Sequence, residues 1–155
     1  MLGQARSLEA RDAGLVAADA SSSAQRVLVV DDDNLHRMII CRAVAKAGYV
    51  PAGAASFEEA AALVQANAFD CITLDLSLGE HAGVEMVRYL SAIGCKAPII
   101  VVTGADYATC KETVKVAEML NLDVWECIPK PVDLVMLRYS LDKIAHQRDR
   151  AALRS

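Results

Sequence analysis

The chain has 155 residues, enough for one domain with a tail and for a core that needs no staples. With 54% hydrophobic and 23% charged residues its balance is that of an ordinary globular protein, and no apolar run approaches the ~18–20 residues that span a bilayer. Sixteen basic against twenty acidic residues leave a net charge of -4, which argues against a nucleic-acid grip, since that needs a clustered basic face.

Residues 1–25 are rich in Ala, Ser and small charges and lack a sustained apolar period, so they predict a disordered or weakly helical tail; a docking helix around Leu8 to Val16 is the alternative. The apolar stretch there is short and broken by Asp12 and Asp19, unlike a secretory signal, and a cytoplasmic protein is expected. From Arg26 the pattern becomes regular. Arg26 to Val30 is a continuous β-branched run that ends in acid, the mark of a buried strand. Asn34 is the expected cap of a helix with Leu35, Met38 and Ile39 on one face, closed by Gly48. A weak strand follows at Tyr49 to Ala54. Ser56 and Glu59 have capping-box spacing and open a helix with Phe57, Ala61 and Val64 inward.

Asp70 to Leu74 predicts the third strand, and Leu76 to Gly83 a loop before a helix from Val84 to Ile93. Pro98 introduces a strand at Ile99 to Val102, followed by a helix from Tyr107 to Leu120 and a strand from Val124 to Ile128. Pro129-Lys130-Pro131 breaks the chain, and a last helix carries Leu134, Leu137, Leu141 and Ile144 in one stripe. Strands alternating with helices imply an α/β domain over 26–147, with a frayed 148–155. The expected fold is a doubly wound parallel sheet of five strands, order 2-1-3-4-5. The five cysteines, Cys41, Cys71, Cys95, Cys110 and Cys127, are odd in number and widely spaced, so they predict buried free thiols rather than a zinc site.

In such folds function gathers at the carboxyl ends of the strands. Those ends carry Asp31, Asp32 and Asp33, then Asp75, then Thr103, then Lys130. Carboxylates placed together call for a divalent cation, and oxygen ligands in a small site suit magnesium. A hydroxyl and an ammonium opposite could hold phosphoryl oxygens, and an aspartate can be the nucleophile in phosphoryl transfer.

On VLVVDDDN, ITLDLSLGEHAGVE, VVTG and IPKPVD, in this order on predicted strand ends, the chain resembles the receiver domain of bacterial two-component response regulators from Arg26 to about Gln147. The resemblance implies that Asp75 is the phosphoacceptor, not a substrate-turning enzyme's residue. It implies magnesium (manganese as substitute) on Asp32, on Asp31 through water, on Asp75 and on the Ser77 backbone carbonyl. Thr103, beside the small Gly104, would donate to the phosphoryl group, Lys130 would pair with it, and the peptide before Pro131 would be cis. Asp33 is then a bystander. A sensor histidine kinase or phosphotransfer protein would be the donor. The output would be a stand-alone receiver's protein contact, relay or dimerisation through the helix-four, strand-five, helix-five face.

The departures concern readout. Cys127 stands at the family's aromatic switch position, Gly79 where proline is common, and Leu122-Asp123 where Gly-Ala is frequent. Trp125, two residues away, is expected on the same strand face as Cys127. Ser77 and Ala105 offer no carboxylate or amide to position water, so a long-lived phospho-form is expected. His81 reads as a solvent-facing loop residue, and His36 and His146 as surface. Two other readings compete. Asp31-x-Asp33 after a strand resembles haloacid-dehalogenase-type phosphatases, although no later acidic pair or cap follows. The missing aromatic also suits a pseudo-receiver that serves only as a scaffold.

Overall fold

Five parallel strands form one sheet in the order β2-β1-β3-β4-β5, as the alternation predicts. They are β1 (Arg26–Val30), β2 (Val50–Ala54), β3 (Cys71–Leu74), β4 (Ile99–Thr103) and β5 (Val124–Pro129). Helices α1 (Asn34–Lys46), α2 (Phe57–Ala66), α3 (Gly83–Ala92), α4 (Tyr107–Met119) and α5 (Leu134–Arg154) connect and close them. The structure is a computed structural model that describes residues 24–78, 81–104 and 106–154. Most of the expected tail, Gly79, Ala105 and the side chain of His81 lie outside the described residues.

The strands are apolar without alternation because both faces are covered. Leu28, Val30, Ile72, Leu74, Ile99 and Val101 pack toward α2, α3 and α4. Val27, Val29, Ile100, Val102 and Ile128 pack with Ile40 and Val44 of α1 and Leu137, Leu141 and Ile144 of α5. Period two along each strand therefore sorts one continuous run into two cores.

Local signals explain most boundaries. Ser56 Oγ accepts from the Glu59 amide at 3.1 Å, and Glu59 Oε2 reaches back to the Ala55 amide at 2.9 Å, so the capping box closes one residue early. Gly48, at φ +93°, ends the turn after α1, a conformation that favours glycine. The cap of α1 is Asp33 rather than Asn34: the Asp33 carboxylate accepts from the His36 amide at 2.9 Å. The apolar group Leu35, Met38 and Ile39 is exposed, whereas Ile40 and Val44 are buried. Contact with the sheet and α5 selects the face of α1 that carries Ile40 and Val44. In α2 the fully buried residue is Ala60, not its neighbour Ala61.

Three further expectations change. The stretch after Asp75 contains a two-stranded antiparallel ribbon, Ser77–Leu78 against His81–Ala82, in place of a plain loop. Helix α5 continues past Gln147 to Arg154, where fraying is expected, and Arg148 pairs with Asp70 just beyond the apolar stripe. Finally, Cys110 on α4 and Cys127 on β5 are joined by a disulfide, with Cα atoms 7.3 Å apart; Cys41, Cys71 and Cys95 remain thiols. Spacing along the chain conceals that pair because only the packing of α4 on β5 brings the two together.

Candidate functional site

The sheet ladder fixes the four key positions. The Asp31 amide donates to Ala54 O at 3.0 Å, the Asp75 amide to Val30 O at 3.0 Å, and the Lys130 amide to Thr103 O at 2.9 Å. Each residue is thus held one step past, or at, the end of a strand. Parallel neighbours bring those ends to one edge. The Lys130–Pro131 peptide is cis, as the resemblance implies.

Asp31, Asp75 and Thr103 are almost wholly buried, while Asp32 is exposed. Asp31, Asp32 and Asp75 each present a carboxylate oxygen within 4.8 Å of the others. Lys130 Nζ bridges two of them, donating to Asp75 Oδ2 at 2.9 Å and lying 3.2 Å from Asp31 Oδ2. One ammonium among three carboxylates leaves net negative charge, and an all-oxygen donor set of this kind fits a hard divalent cation. Ser77 donates its amide to Asp75 Oδ1 at 2.9 Å, which places its backbone beside that carboxylate. Gly104 is exposed, and a Cβ there would meet only Lys130 Cδ, at an ordinary 3.9 Å.

The two buried carboxylates differ electrostatically. Burial pushes the Asp75 carboxyl above the usual carboxylate value, against the Ser77 amide and Lys130, and the Asp31 charge adds to the rise. Burial acts on Asp31 too, but the Asp33 amide, His36 and Lys130 together hold it below the usual value. For Lys130 burial works against the charge, and Asp75 and Asp31 outweigh it, so its pKa is raised. Of the two carboxylates, Asp75 is therefore the more basic and Asp31 the less.

Asp33 caps α1 with its carboxylate and gives its amide to Asp31 Oδ1 at 2.9 Å. His36, expected on the surface, instead donates from Nδ1 to Asp31 Oδ2 at 2.7 Å. Arg37 donates to the Asp31 carbonyl at 2.7 Å and to Asn34 Oδ1 at 2.6 Å. The available signal is position: both sit in the first turn of α1, where side chains lean back over the preceding strand end.

Trp125 does not share a face with Cys127. The pairing of β4 with β5 skips a residue between Ile99↔Val124 and Ile100↔Glu126, a bulge at Trp125. Cys127 consequently packs in the α2–α4 core and Trp125 against the α1–α5 core.

Residues 27–142 match the response regulator receiver domain. The chain belongs to that family. "Transcriptional regulatory protein ZraR" of Salmonella typhimurium is 30% identical over 127 residues, 81% of this chain and 28% of that protein. "Response regulator MprA" of a Mycobacterium species is 36% identical over 81 residues, 52% of this chain and 35% of that protein. The chain therefore spans about a third or less of the length of these curated relatives. Among solved structures, the Vibrio cholerae chemotaxis protein CheY4 superposes with a TM-score of 0.69 at 25% identity, covering 79% of this chain and 99% of that one. A receiver protein from Pseudomonas putida gives 0.68 at 26% identity, covering 78% and 98%. This receiver domain takes part in two-component signalling. No helix among the described residues is long and apolar enough to cross a membrane.

Proposed function

We propose that Asp75 is the phosphoacceptor of this receiver, taking a phosphoryl group from the phosphohistidine of a sensor kinase or phosphotransfer protein in the cytoplasm. The observation that carries this reading is Asp75 itself. It is a buried carboxylate at the end of a central strand, aimed by the Ser77 amide and the Lys130 ammonium, each at 2.9 Å, and set beside Asp31 and Asp32. An Asp75 oxygen attacks phosphorus, the P–N bond breaks, and the departing imidazole nitrogen keeps the electron pair, leaving an acyl phosphate.

Asp31, Asp32 and Asp75, with the Ser77 carbonyl, would hold magnesium, or manganese in its place; bound there, the ion supplies positive charge against the phosphoryl oxygens. Lys130 would shift from the carboxylate pair to a phosphoryl oxygen. Thr103 would donate its hydroxyl, with Gly104 leaving room beside it. Ser77 brings no carboxylate or amide to hold an attacking water, so the phospho-form is expected to persist well beyond seconds. The domain would act through protein contact rather than turnover of a separate substrate or a grip on nucleic acid. A partner or second copy that binds the α4–β5–α5 face in one conformation would then couple to phosphate.

Intact mass after incubation with a small phosphodonor and magnesium tests this. The wild type should gain one base-labile phosphoryl group and Asp75→Asn none. Uptake by neither protein would leave a scaffold that works without phosphate, and turnover of a generic phosphomonoester that needs Asp31 would mark a phosphatase instead.

A further inference from the structure

We infer that Cys110 and Cys127 form a thiol–disulfide exchange site that clamps α4 to β5 and slows phosphoryl acceptance at Asp75. The effect on acceptance rests on the phosphoacceptor reading; the clamp itself does not.

The bond joins the first turns of α4 to the strand that delivers Lys130. It borders a cavity of about 430 Å³ between that helix and β5, lined by Thr103, Tyr107, Lys111, Val114 and Pro129 together with the two cysteines. Thr103 thus stands between two spaces, the acidic pocket at the end of the neighbouring strand and this cavity. A phosphoryl group that draws the Thr103 hydroxyl toward Asp75 empties the cavity further, and α4 has to settle inward to refill it, since a void forfeits contacts along its lining. A covalent tie between α4 and β5 restricts that adjustment. Cys71, by contrast, is sealed in the opposite core, where burial pushes its thiol strongly upward and leaves it inert.

Access and charge suit exchange. Cys110 is buried, but Cys127 is only partly covered and both line an opening that also holds the Lys111 side chain, an ammonium able to favour a thiolate. The oxidant class is a disulfide, either a small one such as oxidised glutathione or that of a dithiol protein. A cysteine thiolate attacks the oxidant, forming a mixed disulfide and releasing one thiolate. The second cysteine then displaces the other, so two electrons and two protons end on the two released thiols.

The test uses the full chain, oxidised with oxidised glutathione or reduced with a phosphine, alongside Cys110→Ser and Cys127→Ser. Alkylation mapping should protect both cysteines in the oxidised wild type while Cys41 labels in either state. Hydrogen exchange in α4 should slow several-fold on oxidation. Phosphoryl uptake should fall several-fold on oxidation in the wild type and be unchanged by the same treatment in the double variant Cys110→Ser/Cys127→Ser, which has no thiol there to hold a mixed disulfide. Free labelling of both cysteines after oxidation overturns the site. A bond that forms with equal uptake in both states overturns the control of acceptance while leaving Asp75 as acceptor. No uptake in any state overturns the phosphoacceptor reading and this control with it, while the labelling and exchange results still decide the clamp.

Discussion

His36 Nδ1 donates to Asp31 Oδ2 at 2.7 Å, across the junction between β1 and the first turn of α1. The same oxygen lies 3.2 Å from Lys130 Nζ. A ring nitrogen and an ammonium therefore orient a carboxylate whose other oxygen takes the Asp33 amide. Groups that position a metal-binding carboxylate typically change affinity by about 10–100-fold when removed. His36→Ala is expected to weaken magnesium binding roughly tenfold with the fold intact. Calorimetric titration of the two proteins measures it, and unchanged affinity would show that Lys130 and the Asp33 amide suffice.

Gly83 approaches Leu76 closely, and its amide donates to Leu76 O at 2.9 Å. A Cβ at position 83 would fall 2.7 Å from the Leu76 Cα and 2.6 Å from its Cδ2. Backbone cannot yield as a flexible side chain can, so Gly83→Ala should cost about 2 kcal/mol and displace the residue that follows Asp75. Urea unfolding reads the first effect, and slower phosphoryl uptake by the folded fraction reads the second.

Base denaturation should reveal Tyr49. Its hydroxyl donates to the Leu141 carbonyl at 2.8 Å, and burial, with Cys71 adding, pushes its pKa from 10 up to about 12. The folded state holds this proton more tightly than the unfolded chain does. The contribution is complete below about pH 10 and is lost as pH rises through about 12. It amounts to roughly 3 kcal/mol. Tyr49→Phe should lose about 1 kcal/mol at neutral pH and show a flatter fall over that window in pH-dependent unfolding.

The disulfide closes a loop with a sequence separation of 17. Constraining a loop of that size in the unfolded chain corresponds to about 3 kcal/mol. The oxidised protein is expected to be more stable than the reduced one by that order, and the two serine variants should match the reduced wild type. Paired denaturant curves with and without reductant check this.

The sequence alone determined the alternation of five strands and five helices and the acidic, hydroxyl and lysine residues at the strands' carboxyl ends. Those features are local: a short β-branched run such as Val27 to Val30, ending in acid, reads as a doubly covered strand, and Asp75 after Leu74 has no packing reason to be there. Family spacing then joined Asp31, Asp32, Asp75, Thr103 and Lys130 into one site, and the ladder bonds at the strand ends are the physical means. What only the tertiary structure decided involves contacts between distant segments or a break in a repeat. Which apolar stripe of α1 is buried depends on the sheet and α5 beneath it, not on the helix's own period. One bulged residue turns Trp125 away from Cys127, because a period of two survives only while the pairing register does. Cys110 and Cys127 meet because α4 lies on β5, and His36 reaches Asp31 because the chain turns at Asp33. Periodicity carries direction along an element, whereas partners across elements are set by how those elements pack.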